Sequence, residues 1–322
     1  MIKKAPIVFE PYLKTVIWGG DRICEYKGIY QSEPKIGESW EISVVPDHES
    51  VVASGDYKGK NLQQLVDLFG EELLGKKVID KYGKKFPLLI KFIEANDNLS
   101  VQVHPDDALA MKRHKSLGKT EMWYILRADD NSKIYAGFNV IMTPEEYEKR
   151  VENGTFSEIL ATHTSHPGDV FFIPPGVVHS IGAGNLLVEI QESSDITYRI
   201  YDYNRKDANG NLRPLHTQEA KEAIDFKVCN HYKFRFPAPD NEEISELVNC
   251  EHFKTQRLII DGEKDFIIDG SSFVILICVE GDVKISCDEG ETKITAGHSA
   301  LIPASVKNFT LKGKAILLSS QV

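Results

Sequence analysis

Polar side chains alternate with apolar ones along a short segment that is predicted to be a strand. In the string LSVQVHPD, Ser100, Gln102 and His104 fall on one face, because successive side chains of a strand point to opposite faces. Three polar groups in a row are costly against a closed apolar core, where each of them has to find a partner. The pattern therefore predicts that this face lines a cavity.

Two further segments supply groups that bind metals. In the string KTEMWY, Lys119 and Glu121 share a face by the same alternation, and His179 follows a turn in the string IPPGVVH. The combined set holds two imidazoles, a carboxylate and an amide oxygen, which zinc accepts with room left for water or substrate. Non-haem iron and manganese accept nearly the same set. The candidate ligands are Gln102, His104, Glu121 and His179.

A second pair of histidines competes with this set. His163 and His166 lie in the string HTSH, after a predicted helix, with no carboxylate in regular spacing. We expect this pair to be solvated surface in a polar loop.

Composition excludes several classes of function. The 322 residues are 42% hydrophobic and 27% charged, which is typical of a globular protein of one large or two ordinary domains. The net charge of −10 argues against a broad grip on nucleic acid or on an anionic membrane. A phosphorylated small molecule can still bind where a few Lys or Arg residues converge.

Cysteine usage and apolar stretches indicate a cytoplasmic protein. The most apolar stretch, FVILICV at residues 273–279, is too short to span a bilayer and is typical of a buried strand. The N-terminal string MIKKAPIVFEPYLK lacks an apolar core of signal-peptide length. The five cysteines form no CxxC pair, so reduced thiols are expected.

Helical patterns are few, and short strands dominate. Residues 61–82 predict two short amphipathic helices broken around Gly70–Gly75. A helix is predicted from Thr143 to about Leu160, and another over residues 217–224, also entered from a threonine. The remainder consists of short strands punctuated by turn residues, which is typical of sandwiches and barrels.

One turn–strand–turn unit occurs twice. Residues 168–179 align without gaps on residues 297–308, and the first copy fits the second half of the cupin motif, G-x5-P-x-G-x2-H. The second copy keeps the glycine and the proline but has Ser305 and Asn308 in place of the motif's glycine and histidine. The repeat therefore predicts two related β-barrels with a metal site in the first alone.

The expected architecture is mainly β, with two cupin-like β-barrels (jelly rolls) and a few peripheral helices. Residues 1–235 would form the catalytic barrel with its helical additions. Residues 236–322 would form a degenerate C-terminal barrel, which we expect to bind no metal and to contribute packing only.

Six strings in one order resemble a known family. They span roughly Trp18 to His216, and the last hundred residues match only as a degenerate cupin. The strings are GESWEIS, PLLIKFI, LSVQVHPDD, GKTEMWYIL, IPPGVVHSIG and SSDITYRIYDYNR. Together they are highly specific, and the chain resembles the type I mannose-6-phosphate isomerases.

The resemblance implies roles for particular residues. It assigns one zinc ion per chain to the four ligands named above and makes Arg199, in the string TYR, the active-site arginine. It places Lys119 and Ser100 at the substrate, and Lys91 is a further candidate for contacts to phosphate or for proton transfer. An arginine can hold an enediolate or a phosphate by paired hydrogen bonds, although a structural salt bridge is the alternative for Arg199.

Two features depart from the family, and one role stays open. The helical insertion of longer members is absent, which indicates a compact bacterial type, and Ile181 stands where eukaryotic-type members have a tyrosine. The general base is not assigned by the sequence. Glu189 and Glu41 are candidate carboxylates.

The resulting hypothesis is a zinc-dependent interconversion of mannose 6-phosphate and fructose 6-phosphate through a cis-enediol. A cupin dioxygenase with iron at the same ligands would explain the His/His/Glu set but not Arg199 or the lysines. A non-catalytic sugar-binding cupin would have lost ligands, as the C-terminal half has. No nucleic-acid or membrane partner is expected, and the oligomeric state is unreadable from the sequence.

Overall fold

The structure, a computed structural model, describes residues 1–30, 35–206, 210–227, 233–235 and 243–322, with backbone alone for 233–235. Strands make up most of its regular structure, as the sequence predicts. In chain order they are β1 (Phe9–Glu10), β2 (Tyr12–Gly20), β3 (Ile36–Ile42), β4 (Val51–Val52), β5 (Leu88–Ala95), β6 (Val101–Val103), β7 (Glu121–Ala128), β8 (Lys133–Phe138), β9 (Leu160–Thr164), β10 (Asp169–Ile173), β11 (His179–Ile181), β12 (Asn185–Glu192), β13 (Tyr198–Tyr201), β14 (Lys233–Arg235), β15 (Ile244–Asn249), β16 (Lys254–Ile267), β17 (Val274–Cys287), β18 (Gly290–Thr295), β19 (Ser299–Ile302) and β20 (Asn308–Gln321).

Two antiparallel sheets build the first half. One has the strand order β14-β10-β7-β12-β5-β3-β2, and the other has the order β13-β6-β11-β8-β9. Apolar side chains of both sheets share a core, in which Trp123 of β7 and Ile93 of β5 pack with Ile134 of β8 and Ile181 of β11. The polar site lies in the same space between the sheets.

The C-terminal half consists of long, bent strands. Its sheet has the order β15-β16-β20-β17-β18, and β19 pairs with β17. In neither half does the hydrogen-bonded order of the described strands close on itself, so each is a jelly roll of the cupin type rather than a sealed barrel. The predicted domain boundary at 235/236 stays a prediction, since residues 236–242 are outside the described ranges.

The repeated unit has the same structure in both halves. Gly168 and Gly297 both have positive φ, at 83° and 85°, and each precedes a short strand, β10 or β19. After the proline turn, His179 begins β11 and Asn308 begins β20. The gapless alignment in the sequence therefore reflects a shared local fold.

The helices differ from prediction in their number and ends. They are α1 (Arg22–Lys27), α2 (Leu62–Phe69), α3 (Glu71–Leu74), α4 (Lys76–Tyr82), α5 (Asp107–His114), α6 (Pro144–Glu152) and α7 (Thr217–Ala223), with a 3-10 helix at Phe156–Ile159. Residues 61–82 form three helices, because Gly70 and Gly75 each break the run. Helix α6 ends eight residues before Leu160, where β9 begins. Helix α7 begins at Thr217 as predicted, ends at Ala223, and has no side-chain cap from His216 at its N-cap position.

One hydrophobic core joins the two halves. The largest cluster contains Phe86 and Phe92 from the first half together with Phe253 and Phe273 from the second. The rings of Phe86 and Phe273 stack with centroids 4.6 Å apart. At Gly75, which has φ +89°, a Cβ would lie 2.4 Å from the Ser271 carbonyl oxygen, so the helices pack backbone to backbone against the C-terminal half.

A buried ion pair stabilises the same junction. Lys27 Nζ lies 2.7 Å from Glu41 Oε1, the two side chains are 0% and 4% exposed, and the ammonium also donates to the Gly297 carbonyl. Lys27→Met leaves the Glu41 carboxylate buried without its cation, and we expect a loss of about 3–5 kcal/mol in the free energy of unfolding, measured with urea. The double variant Lys27→Met/Glu41→Leu should recover much of that loss. A loss below about 1 kcal/mol for the single variant would contradict the assignment.

Two further observations concern thiols and membranes. Cys250, Cys278 and Cys287 are free thiols, and Cys229 lies outside the described residues. Within the described ranges, no helix has both the length and the apolar character that a bilayer crossing requires.

Candidate metal centre and active site

Three predicted ligands converge between the two sheets of the first half. His179 opens β11, His104 follows β6 directly, and Glu121 opens β7 of the opposite sheet. Glu121 Oε1 lies 3.3 Å from His179 Nε2, and Glu121 Oε2 lies 3.6 Å from His104 Nε2. All three side chains are at most 1% exposed, and one ligand atom of each lies within 4.8 Å of the others.

Both imidazoles are held in orientation by hydrogen bonds from their Nδ1 atoms, which point away from the cluster. His104 Nδ1 donates to the Ile196 carbonyl at 2.9 Å, and His179 Nδ1 donates to the Val177 carbonyl at 2.8 Å. These bonds leave each Nε2 with its lone pair toward the cluster, which is how outer-shell partners prepare metal-binding histidines. His104 Nε2 and Glu121 Oε1 are buried without hydrogen-bond partners. A cation satisfies both atoms, so the donor set fits a metal ion.

Burial keeps the imidazoles neutral. It lowers the pKa of His179 to about 4 and that of His104 well below its ordinary value, where Lys119 adds to the effect. Burial also raises the pKa of the Glu121 carboxyl to about 8, although Lys119 opposes the shift. A divalent cation would reverse this effect, because opposite charge favours the ionised carboxylate.

Gln102, the fourth predicted ligand, lies beside the cluster. It pairs with His179 across β6 and β11, and its Nε2 lies 3.4 Å from His179 Nε2. Ser100 Oγ donates to Gln102 Oε1 at 3.3 Å. To ligate a metal, the Gln102 amide has to turn so that Oε1 replaces Nε2. These contacts agree with the predicted face for Ser100 and Gln102, and His104 reaches the same cluster through its 3.6 Å approach to Glu121.

A buried network of two lysines and two glutamates includes the candidate ligand Glu121. Lys119 Nζ lies 2.9 Å from Glu121 Oε2 and 3.9 Å from Glu189 Oε1, and Lys91 Nζ lies 2.9 Å from the same Glu189 oxygen. Trp123 Nε1 donates to Glu189 Oε2 at 3.0 Å. Burial alone would raise the pKa of Glu189, but Lys119 and Lys91, with the two hydrogen bonds, lower it to about 2. Burial would lower the pKa of Lys119, but Glu121 and Glu189 outweigh it and raise that pKa.

A pocket opens over this network. Its volume is about 350 Å³, within the usual range of about 300–1,000 Å³ for small-molecule sites. Five residues predicted as ligand, substrate-binding or catalytic groups line it together with the candidate base Glu189, while the three converging side chains are outside its lining. The five are Lys91, Ser100, Gln102, Lys119 and Arg199.

Arg199 reaches the pocket from an edge strand. It pairs with Gln102 across β13 and β6, and its Nη1 donates to the Pro214 carbonyl at 2.9 Å. Its Nε is buried without a hydrogen-bond partner, and among the described residues no carboxylate forms an ion pair with it. Burial, and then the nearby cations Arg213 and Arg205, lower its pKa. The guanidinium therefore has donor capacity left for an anion.

The alternation in the string TYRIYDY predicts that Thr197, Arg199, Tyr201 and Tyr203 share one strand face, and this prediction is only partly right. Thr197 and Arg199 both line the pocket, but the register of β13 shifts after Arg199 and Tyr201 lines a different pocket. Tyr203 lies beyond the strand with φ +54°. The register shift directs Tyr201 and the residues after it away from the pocket that Arg199 lines.

Other predicted residues lie outside the site. Glu41 is absent from the pocket lining, because it pairs with Lys27 and accepts from Ser39 Oγ at 2.6 Å. His163 lies in β9 rather than in a loop, and His166 is 45% exposed in its side chain. Neither histidine belongs to a group of possible metal ligands in the described part of the chain.

Several lining residues were not predicted from the sequence. Glu38 and Trp40 lie two apart on β3, and Trp40 Nε1 donates to Glu38 Oε2 at 2.6 Å. Lys91 Nζ lies 4.9 Å from the centroid of the Trp40 ring. Arg213 also lines the pocket and binds Asp202 through Nε at 2.6 Å. The alternation in GESWEIS could have predicted that Glu38 and Trp40 share a face of β3. Arg213 lies in a loop, where no such pattern exists.

The chain matches two family descriptions and full-length relatives. Residues 8–148 match "Phosphomannose isomerase type I, catalytic domain", and residues 243–322 match "Mannose-6-phosphate isomerase, cupin domain". Mannose-6-phosphate isomerase ManA of Bacillus subtilis is 33% identical, with 98% of this chain and 99% of that protein aligned. Mannose-6-phosphate isomerase of Streptococcus mutans is 30% identical, with 98% of each aligned.

Solved structures share the fold over nearly the whole chain. The mannose 6-phosphate isomerase of Bacillus subtilis superposes with a TM-score of 0.89 at 32% identity, covering 98% of this chain and 99% of the other. A variant of phosphomannose isomerase from Salmonella typhimurium superposes with a TM-score of 0.79 at 16% identity, covering 98% of each chain. At that identity the second likeness concerns the fold alone.

Proposed function

Because this chain belongs to the type I mannose-6-phosphate isomerases and interconverts mannose 6-phosphate and fructose 6-phosphate, we propose that it does so with one zinc ion per chain. The convergence of buried, unsatisfied ligand atoms at Glu121 and His104 carries this proposal. The donor set of two imidazoles, a carboxylate and an amide oxygen is one that zinc accepts. The proposed ligands are Gln102, His104, Glu121 and His179.

The reaction moves a proton between two adjacent sugar carbons, and we propose a cis-enediol as its intermediate. When bound, zinc supplies Lewis acidity to the oxygens on those carbons. Ser100 orients the Gln102 amide through its hydroxyl. Lys119, held in its charged form by Glu121 and Glu189, is placed to donate to a sugar oxygen.

We propose that Glu189 positions Lys91 and Trp123 and is not the general base. Lys91 Nζ occupies one of its oxygens and Trp123 Nε1 occupies the other. This arrangement fixes Lys91 at the pocket wall, where its ammonium is available to the substrate. A carboxylate already bound by two donors is a weak base.

We propose that Arg199 binds the negative charge of the substrate, either on the enediolate or on the phosphate. Its position beside Gln102 and its free donor capacity support this role. A planar guanidinium matches both anions by paired hydrogen bonds.

We further propose that the protein works in the cytoplasm on a small phosphorylated sugar, without nucleic acid or membrane as partners. The free thiols of Cys250, Cys278 and Cys287 suit a reducing compartment.

A coupled assay on mannose 6-phosphate, combined with metal analysis, tests the proposal. We expect isomerisation without oxygen uptake, and about one zinc ion per chain in the purified protein. The control is the same assay in an oxygen electrode with the protein loaded with iron. Oxygen consumption without sugar isomerisation would contradict the proposal and favour a cupin dioxygenase.

A further inference from the structure

A turn of the C-terminal half contacts the strand that ends beside the metal site. His252 lies between β15 and β16, and its Nδ1 lies 2.9 Å from Oε1 of Glu192, the last residue of β12. The two side chains are 14% and 1% exposed. Glu192 raises the pKa of His252, and the contact is a buried ion pair whose geometry is not that of a hydrogen bond.

The other oxygen of Glu192 binds the segment that carries Glu121. Glu192 Oε2 accepts from the Thr120 backbone N–H at 2.8 Å, and the Glu192 N–H donates to the Thr120 carbonyl at 3.1 Å. Thr120 lies directly between Lys119 and Glu121. Glu192 therefore fixes the backbone from which both side chains reach the pocket and the metal cluster.

The same segment is also tied to the turn that follows His104. The Gly118 N–H donates to Asp107 Oδ1 at 2.7 Å, and the Lys119 N–H donates to the Pro105 carbonyl at 3.1 Å. A Cβ at Gly118 would lie 2.6 Å from the Asp107 nitrogen, so the two segments are in direct backbone contact. Displacement of the segment at Thr120 would thus be felt at His104 as well as at Glu121.

We propose that His252 is a positioning residue, through which the C-terminal half holds the metal site in shape. Acting through Glu192, it fixes the backbone of Thr120 and with it Lys119 and Glu121. The inference rests on the proposed role of Glu121 as a metal ligand. It gives the C-terminal half a part in the site beyond the packing expected from the sequence.

Loss of the imidazole would loosen this support. The Glu192 carboxylate, buried to 99%, would lose its cationic partner and would turn away from Thr120 or take up a proton. Replacing a partner outside the metal ligands typically costs about 10–100-fold in metal affinity or activity. His252 acts on Glu121 only through Glu192 and the Thr120 backbone. We therefore expect an effect near the lower end of that range.

The test compares two replacements of similar size, His252→Leu and His252→Asn, in the full chain. Leucine cannot donate to Glu192, whereas the asparagine amide can. We expect His252→Leu to weaken zinc binding and to lower kcat by about 10-fold each, with zinc affinity measured by competition with a chelator. His252→Asn should stay within about threefold of the wild type in both.

The control variant, Lys81→Ala, loosens the same turn without touching this support, because Lys81 Nζ donates to the Glu251 carbonyl at 2.9 Å. We expect it to lower Tm but to leave zinc affinity unchanged. Wild-type zinc affinity in His252→Leu would overturn the inference, and so would equal losses in both histidine variants.

Asp107, Glu192 and His252 also have ligand atoms within 4.8 Å of one another. A second metal ion in the wild type, lost in His252→Leu, would overturn the inference in favour of a cation site. A wild type that binds no zinc would instead overturn the metal assignment itself, together with the inference that rests on it.

Discussion

Replacing His179 with alanine is expected to remove the bound zinc and to lower turnover by at least about three orders of magnitude, the scale of losing the main electrostatic stabiliser of the transition state. The imidazole is one of two neutral nitrogen donors in the proposed ligand set, and its Nε2 lies 3.3 Å from Glu121 Oε1. Without it, the remaining ligands hold a cation weakly and open the site to water. Removal of the metal from the wild type with a chelator should have the same effect.

Zinc content and turnover should be measured on the same preparation of His179→Ala. His163→Ala is the matched control, because that histidine lies in β9 and belongs to no group of possible metal ligands among the described residues. Added zinc should restore the chelated wild type but not His179→Ala. Full turnover by a verified metal-free sample would exclude a metal-dependent mechanism.

Replacing Arg199 with alanine should lower turnover by about two to four orders of magnitude while zinc content and Tm stay close to the wild-type values. No ion pair with a described carboxylate is lost, and the single side-chain hydrogen bond to the Pro214 carbonyl is at the surface. The stability of the fold therefore depends little on the guanidinium. Arg199→Lys should recover only part of the loss, because an ammonium cannot reproduce the planar fork.

Melting temperature, zinc content and turnover of Arg199→Ala decide between the two roles of this arginine. The matched control is Arg113→Ala, since Arg113 of α5 pairs with Glu222 of α7 and is absent from the pocket lining. A structural Arg199 would show a large fall in Tm, and its loss of activity would follow the unfolded fraction. A folded, zinc-loaded variant with near-normal turnover would remove Arg199 from the mechanism.

The strands near the metal were predictable because their patterns are local. Alternation of period two placed Ser100, Gln102 and His104 on one face, and the cupin-like turn placed His179 at the start of the next strand. The repeated turn–strand–turn unit likewise follows from glycine and proline positions, which determine turns wherever they occur. In these elements, the spacing of residues along the chain determines which side chains are neighbours in space.

Contacts between distant segments were not predictable in the same way. Glu189 meets Lys91 only because β12 and β5 pair in one register, across 98 residues of sequence. Glu41 was an equal candidate in the sequence, but the packing of α1 brings Lys27 to it instead. The contact of His252 with Glu192 depends on how the two halves dock, which no local pattern encodes.

Helix ends and strand faces failed where tertiary contacts replaced local preference. The start signal at Thr143 predicted a helix up to Leu160, but the chain leaves the helical conformation before Gly154, which has φ +68°, and Leu160 pairs with Phe138 of β8. Likewise, the alternation of residues 197–203 continues in the sequence but not in space, because β13 shifts register after Arg199.

The lining of the pocket also bears on how a charged sugar reaches an acidic protein. The chain carries a net charge of −10, yet the pocket wall holds five basic side chains against three acidic ones, with Glu121 as a fourth acid beneath. A divalent cation at the proposed ligands would add two more positive charges at the base. At physiological ionic strength, the potential of a surface charge is screened within about 8 Å. A phosphate at the pocket entrance is therefore attracted by the basic side chains of the pocket more than it is repelled by the distant acidic surface. Electrostatic steering thus repels anions from most of the molecule and draws them in at one opening.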